Sequence, residues 1–274
     1  STAFSNNVLD ATDGWEKLIE SADDLAGVPT TVLDNLREAA TAKGLSGYRL
    51  SLDIPSYLPI MQYADNRELR AELYQAYVTR ASALGPHAGK WDNGPLMLEI
   101  LQLRQEQAKL LGFENYAAYS LASKMAESNS QVIAFLEELA LASKPMAERE
   151  YAELKAFAAS RGVEDMQAWD VPYFSEKLKE VSFAISQEDL RPYFPAEKVI
   201  SGLFNITGQL FDIDIAAVDG VDLWHKDAQC YRISRGGEVL AHFYLDLYAR
   251  NNKRGGAWMA NARGRRSLDD GTVQ

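Results

Sequence analysis

The residues from Val239 to Ala249 carry an apolar side chain at every odd position. Successive side chains of a β-strand point to opposite sides, whereas those of a helix repeat every 3.6 residues. A strict period of two therefore predicts a strand with one apolar face, and the opposite face would carry the polar residues at even positions. The even positions include His242, Tyr244, Asp246 and Tyr248.

A Gly-Gly pair at Gly236 and Gly237 precedes this strand and predicts a tight hairpin turn, because such turns need positive φ angles. If these glycines are the two turn residues, the segment near Asp227 pairs with the segment near Asp246. Like charges that face each other across a pair of strands repel, so this end is expected to fray or to meet a cation such as Lys226 or Arg250. The predicted pairs are Cys230 with Phe243, Tyr231 with His242, Ala228 with Leu245, and Asp227 with Asp246.

The polar face of the hairpin allows two interpretations. It is either an ordinary solvated face or the lining of a groove, in which a free strand edge and neighbouring aromatic side chains would contact an extended peptide. The candidate groove residues are His242, Tyr244, Asp246 and Tyr248.

Most of the remaining chain has helix-starting and helix-ending signals at regular intervals. Pro145 interrupts one long helical pattern, which predicts either two helices that separate near Ser143 or one bent helix. Alternation over 47–53 predicts one further strand. Helices are predicted over 31–43, 66–84, 94–111, 116–125, 128–160, 173–181, 187–193 and 197–211.

These patterns predict a mainly α fold of many helices with a small antiparallel β-sheet, whose parts are the strand near 47–53 and the hairpin near 227–249. The composition changes around 212–222, where helix gives way to strand. We therefore expect a mostly helical part over 1–211 and a strand-containing part over 212–274.

The composition is that of a soluble globular protein, with 47% hydrophobic and 24% charged residues. A formal net charge of −11 argues against nucleic acid as the main partner, since phosphate binding needs a basic face. The single cysteine, Cys230, cannot form an internal disulfide, and we see neither a leader peptide nor an apolar run long enough to cross a membrane. The cytoplasm is therefore the expected location, without a membrane partner.

No catalytic cluster is evident in these residues. The three histidines, His87, His225 and His242, are far apart in sequence and lie outside any H-E-x-x-H pattern, so they predict no metal site. Cys230 is expected to pack in the apolar face rather than act as a nucleophile. The basic segment at 253–256 is either an ordinary turn or an anion-binding loop.

Several long blocks of the sequence resemble the oligopeptidase A branch of the thimet oligopeptidase family of zinc metallopeptidases. The resemblance extends over nearly the entire chain. The blocks are FSNNVLDAT, LDIPSYLPIMQYADNRELR, AYVTRAS, WDNGPLMLEILQLRQEQAKLLGFENYAAYSLASKMA, WDVPYFSEKL, RPYFP, FYLDLYAR and KRGGAWM.

The resemblance implies a mostly helical enzyme with a deep channel that admits short peptides and excludes folded proteins. Family members bind zinc through an H-E-x-x-H helix and a downstream glutamate, and all of these residues follow KRGGAWM in the family. Zinc is thus expected in the full-length enzyme, with no ligands in this chain, and the segment alone is expected to be inactive. Its other expected partners are short peptides and the N- and C-terminal segments of the same enzyme.

The polar hairpin face of His242, Tyr244, Asp246 and Tyr248 would then look toward the substrate channel. The alternative interpretation is a non-catalytic helical scaffold or peptide-binding module that lacks the metal site. An H-E-x-x-H motif encoded soon after Gln274 would favour the peptidase, and a stop codon would favour the module.

Overall fold

The computed structural model describes residues 1–250, 253, 256–264 and 266–267. These residues form ten α-helices and five β-strands. Short 3₁₀ helices occur at Ala22–Leu25, Ala168–Asp170 and Arg191–Tyr193. The α-helices are α1 (Thr2–Asp13), α2 (Thr30–Thr41), α3 (Ile54–Tyr63), α4 (Arg67–Val78), α5 (Gly94–Leu110), α6 (Tyr116–Leu121), α7 (Asn129–Ser160), α8 (Val171–Phe183), α9 (Gln187–Leu190) and α10 (Ala196–Phe211).

The strands belong to two antiparallel sheets. In the first sheet, β1 (Glu16–Ile19) pairs with β2 (Tyr48–Ser51). The second sheet has the order β3 (Asp214–Ala217), β4 (Gln229–Arg235) and β5 (Glu238–Leu245). The prediction of a mainly α fold with small antiparallel β-structure is confirmed, although the strand near 47–53 and the hairpin lie in separate sheets.

The larger hydrophobic core surrounds β2, whose four residues are all buried. Leu50 of β2 and Leu52, just after the strand, pack in one cluster with Ile60 of α3 and Leu73 of α4. Strand β2 contacts α2 and α3, and α3 in turn contacts α4. A smaller core joins the end of α7 to α8 through Leu154, Ala158, Met166 and Phe174.

A buried ion pair connects α4 to the start of α8. Asp170 is fully buried and accepts hydrogen bonds from Arg67 Nε at 3.0 Å and Arg70 Nη2 at 2.8 Å. The backbone N–H of Gln167 donates a further bond to this carboxylate at 3.0 Å. Two arginines and one amide thus neutralise and satisfy a charge that would otherwise be unfavourable in the interior.

The helices differ from the sequence expectations in several places. Two helices, α1 and α3, were not predicted, and some predicted boundaries are wrong. The pattern over 128–160 forms one helix, α7, which continues through Pro145, so of the two alternatives the single helix is observed and the two separate helices are wrong. The pattern over 66–84 forms a shorter helix that ends at Val78, and Ala81 has a positive φ of 51° that a continuing helix does not allow.

The hairpin register corrects the sequence prediction. Near the turn, Arg235 pairs with Glu238 and Ser234 pairs with Val239, as the two-residue Gly-Gly turn predicts. A register shift, such as a β-bulge causes, follows between Ile233 and Ser234. Beyond it the partners differ by one residue from those predicted: Cys230 pairs with Tyr244, Tyr231 with Phe243, Arg232 with His242 and Gln229 with Leu245.

This shift places Cys230 beside Tyr244 instead of in the aromatic face. That face is formed by Tyr231 and Phe243, whose rings stack with centroids 5.4 Å apart. Phe204 of α10 packs edge-on against Tyr231 at 4.9 Å. Helix α10 therefore covers this side of the sheet, and the face that carries His242 and Tyr244 is the opposite one.

No helix among the described residues has both the length and the apolar character needed to cross a membrane.

Candidate functional site at the end of strand β5

The four candidate groove residues do not all lie on the strand. His242 and Tyr244 belong to β5, whereas Asp246 and Tyr248 follow its last residue, Leu245. The predicted strand to Ala249 is therefore too long. The predicted pair of Asp227 with Asp246 is also absent, because β4 begins at Gln229 and β5 ends before Asp246.

Asp246 is the centre of a charged cluster that fixes the backbone beyond β5. Arg250 donates two hydrogen bonds to its carboxylate, one to each oxygen and both at 2.7 Å. Trp224 donates its indole N–H to Oδ2 at 2.9 Å. Such a two-pronged guanidinium contact restricts orientation more strongly than a single bond does.

Lys253 closes the cluster from the other side of the loop. Its ammonium donates to Asp246 Oδ1 at 3.0 Å, to the Asp246 carbonyl at 2.6 Å and to the Tyr248 carbonyl at 2.8 Å. These bonds use all three donors of a lysine. Lys253 is thus occupied in holding the loop, which argues against it as an anion-binding residue; Arg254 and Gly255 of the same basic segment lie outside the described residues.

The hydrogen bonds that Arg250, Trp224 and Lys253 donate hold the pKa of Asp246 well below the ordinary value of an aspartate. The carboxylate is consequently ionised at neutral pH and has no proton to donate. All of its neighbours in this cluster are donors, so its chemistry is that of a structural anion and not of a general acid.

The aromatic part of the site lies beside this cluster. The rings of Tyr244 and Trp224 are tilted against each other with centroids 5.3 Å apart. Tyr244 is 41% exposed and Trp224 is 59% exposed, so both rings keep a large surface available for contact. Trp224 thereby links the ring of Tyr244 to the carboxylate of Asp246.

The remaining candidates, His242 and Tyr248, are both exposed. His242 lies on β5 opposite Arg232, and among the described residues Tyr248 contacts the cluster through its backbone carbonyl. The structure thus brings Tyr244 and Asp246 together around Trp224 and leaves the side chains of His242 and Tyr248 apart from that cluster.

The partners of Asp246 were only partly predictable. Arg250 follows Asp246 by four residues and was expected as one possible neutralising cation. Lys253 belonged to a segment that the sequence allowed to be either an ordinary basic turn or an anion-binding loop. Trp224 gives no signal in sequence, because it lies 22 residues away in a loop and reaches Asp246 only through the fold.

The described residues do not fit a catalytic zinc site. They contain no group of three or more histidine, cysteine, aspartate or glutamate side chains placed to hold a metal ion. His225 lies near Asp227, with Nδ1 and Oδ2 separated by 3.5 Å, and His87 packs against Trp91. The three histidines therefore lie in separate surroundings and do not come together as ligands of one metal ion.

Fold and site together define a mainly helical protein with small antiparallel sheets. Beyond strand β5, an ion-paired loop lies beside exposed aromatic side chains. Residues 60–274 match the family model of peptidase family M3. The chain therefore belongs to peptidase family M3.

Similarity to individual members extends over almost the whole chain. It is 52% identical over 273 residues to oligopeptidase A of Escherichia coli (strain K12), which covers 99% of this chain and 40% of that protein. It is 42% identical over 272 residues to the probable cytosolic oligopeptidase A of Arabidopsis thaliana, covering 94% of this chain and 38% of that protein. It is also 29% identical over 265 residues to dipeptidyl carboxypeptidase of Escherichia coli (strain K12). That similarity covers 95% of this chain and 38% of that protein. The chain thus spans about two fifths of the length of these relatives.

Proposed function

We propose that this chain is an internal segment of a cytoplasmic zinc metallo-oligopeptidase that hydrolyses internal bonds of short peptides. The observation that carries the proposal is the 52% identity to oligopeptidase A along 99% of the chain. We place the zinc ligands in a part of the enzyme outside these 274 residues, and this placement is compatible with the described residues, which contain no metal-binding group. The similarity to a probable cytosolic relative supports the proposed location.

Within that enzyme, His242, Tyr244 and Tyr248 contact the peptide substrate. Their exposure supports this role, and tyrosine combines a flat apolar ring with a hydroxyl that can bind a peptide group. Asp246 contributes indirectly, because Arg250, Trp224 and Lys253 occupy its carboxylate. Its role is to fix the direction of the backbone after β5 and thereby to position the side chains of Tyr244 and Tyr248.

Other parts of the same enzyme cover the apolar helix faces that this chain leaves exposed. On α10, four large apolar residues follow one another at intervals of four, three and four positions, which places them on one side of the helix. All are at least 48% exposed, and this side is distinct from the position of Phe204, which packs on the sheet. The four residues are Val199, Leu203, Ile206 and Leu210. An apolar stripe of this kind is typical of a helix that packs against another element.

The test uses the product of the complete gene. Purified protein should cleave a quenched peptide of about ten residues at an internal bond, contain about one zinc per chain, and lose activity with a chelator until zinc is restored. Mass spectrometry of the products would show whether the cleaved bond is internal. A protein that binds such peptides without cleaving them, and that holds no zinc, would refute the peptidase and support a peptide-binding module instead.

A further inference from the structure

An open cavity of about 570 Å³ lies between the start of α4, the end of α7 and the outer side of α8. It is separate in sequence from the β5 site, and none of its lining residues belongs to the Asp246 cluster. Its size is within the range of cavities that hold small organic ligands.

An aromatic ring and its hydrogen-bonded neighbours line one side of the cavity. The guanidinium of Arg70 lies over the ring of Tyr173, 4.1 Å from its centroid, and is anchored to Asp170. Tyr173 in turn donates its hydroxyl to Asp65 Oδ1 at 2.8 Å. Burial, together with this contact to Asp65, raises the pKa of Tyr173 to about 12, so the hydroxyl remains a donor at neutral pH. One oxygen of Asp65 therefore accepts this bond, and no described side chain donates to the other.

Two opposite charges that face this cavity have no ionic partner among the described residues. Asp65 accepts the tyrosine hydroxyl but forms no ion pair, and Arg161 only packs over Phe157, with its guanidinium carbon 5.2 Å from the ring centroid. The two charges do not pair with each other either, although both line the same space. A ligand that carries both a cationic and an anionic group would satisfy the two together.

The other ionic groups around the cavity are already matched. Arg67 and Arg70 share Asp170, Arg67 also pairs with Asp165 at 3.1 Å, and Lys177 lies 3.5 Å from Glu180. The lining is consequently close to neutral, which argues against a purely anionic ligand such as phosphate. It favours a zwitterion.

We propose that this cavity binds a small zwitterion of the amino acid or dipeptide class, with its α-carboxylate on Arg161 and its α-ammonium on Asp65. A guanidinium can bind a carboxylate through two parallel hydrogen bonds, and the free oxygen of Asp65 can accept from an ammonium. Tyr173, Val163 and Val181 provide apolar surface for the ligand's side chain. The site is distinct from the proposed substrate groove and does not depend on the peptidase proposal.

Isothermal titration calorimetry on the product of the complete gene tests this proposal, with L-leucyl-L-phenylalanine as the probe. A chelator in the buffer prevents any metal-dependent hydrolysis from consuming the probe. Parallel titrations with free L-phenylalanine identify which of the two zwitterions binds more tightly. Titrations with the Nα-acetylated dipeptide and with the dipeptide amide each remove one of the two charges.

We expect Arg161→Gln and Asp65→Asn each to weaken binding about 10-fold or more, because each removes one charge-assisted contact. Blocking either end of the probe should weaken binding to a similar extent. The matched controls are Arg149→Gln and Asp24→Asn. Arg149 lies in α7, the helix that ends just before Arg161, and Asp24 is another exposed aspartate. Neither should change the affinity.

Circular dichroism spectra of the variants would establish that they fold as the unmodified protein does. Absence of binding by both zwitterions would overturn the proposal, as would equal binding of the blocked and free dipeptides. Binding that survives both Arg161→Gln and Asp65→Asn would place the ligand elsewhere and would also overturn it. These outcomes are independent of peptide cleavage, so they leave the proposed function untouched.

Discussion

Replacing Asp170 with asparagine should strongly destabilise the protein, because this side chain joins α4 to α8 in the interior. Asp170 is fully buried and Arg70 is only 2% exposed. The substitution keeps the size of the side chain but removes the negative charge that two arginines share. Among the described residues the Nε of Arg70 has no hydrogen-bond partner, so losing the carboxylate would leave more of the buried guanidinium unsatisfied.

The expected loss in free energy of unfolding is about 3–5 kcal/mol, the usual cost of leaving a buried charge without its partner. The matched control is Asp34→Asn, which breaks the exposed pair between Asp34 and Arg37 on α2. Exposed pairs of this kind contribute at most about 1 kcal/mol. Both variants lose one carboxylate that faces an arginine. The difference between their losses in free energy of unfolding therefore reports how much the burial of the Asp170 pair contributes.

The effect of Asp170 should also depend on pH in a defined direction. Burial raises the pKa of Asp170, but the hydrogen bonds from Arg67, Gln167 and Arg70 outweigh burial and keep the pKa below the ordinary value. A lowered pKa in the folded state means that the stabilisation is complete above the unfolded value, about 3.9, and is lost as the pH falls through the folded value. The gap between wild type and Asp170→Asn should therefore be constant above about pH 5 and shrink in stronger acid.

Urea unfolding followed by circular dichroism, at pH 7 and at successive values down to pH 3, would provide these free energies. A loss below about 1 kcal/mol at neutral pH, or a gap that widens in acid, would refute the reasoning. Equal losses for Asp170→Asn and Asp34→Asn would show that the burial of the pair does not matter.

Further predictions concern the β5 hairpin and its loop. Asp246→Asn should speed tryptic cleavage after Arg250 and Lys253 several-fold, because the loop loses its central anion; Glu238→Gln serves as the control at the turn, and unchanged cleavage would contradict the cluster. Phe243→Ala should cost about 1–3 kcal/mol in urea unfolding, below the cost for a fully buried phenyl ring, because Phe243 is only half-buried; a loss below about 0.5 kcal/mol would show that its stacking on the sheet contributes little. In the complete enzyme, Tyr244→Ala should raise KM or lower kcat for peptide cleavage more than it lowers stability, and unchanged kinetics would remove Tyr244 from the groove.

The hairpin shows how far sequence determines local structure and where it stops. Alternation and the Gly-Gly turn were sufficient to predict two paired strands and the partners nearest the turn. A register shift changed every pair from Ile233 onward, because the apolar pattern of one strand contains no signal for a bulge. Cys230 consequently lies on the face opposite to the predicted one.

Long-range partners were the least predictable features. The strand over 47–53 was evident from its alternation, but its partner, Glu16–Ile19, is too short and too mixed in polarity to be recognised alone. The continuous helix through Pro145 shows the reverse case, in which a local helix-breaking signal did not end the helix. At the candidate site, Arg250 could be anticipated from its spacing to Asp246, whereas Trp224 reaches that carboxylate only because the fold brings two distant loops together.

The most direct test of the account compares the 274-residue chain with the product of the complete gene. Both proteins are purified, their zinc content is measured, and each is assayed with the same quenched peptide. The account predicts that the 274-residue chain holds no stoichiometric zinc and cleaves nothing, while the complete product holds zinc and cleaves the peptide in a chelator-sensitive manner. One tightly bound zinc with peptide cleavage in the 274-residue chain alone would contradict it.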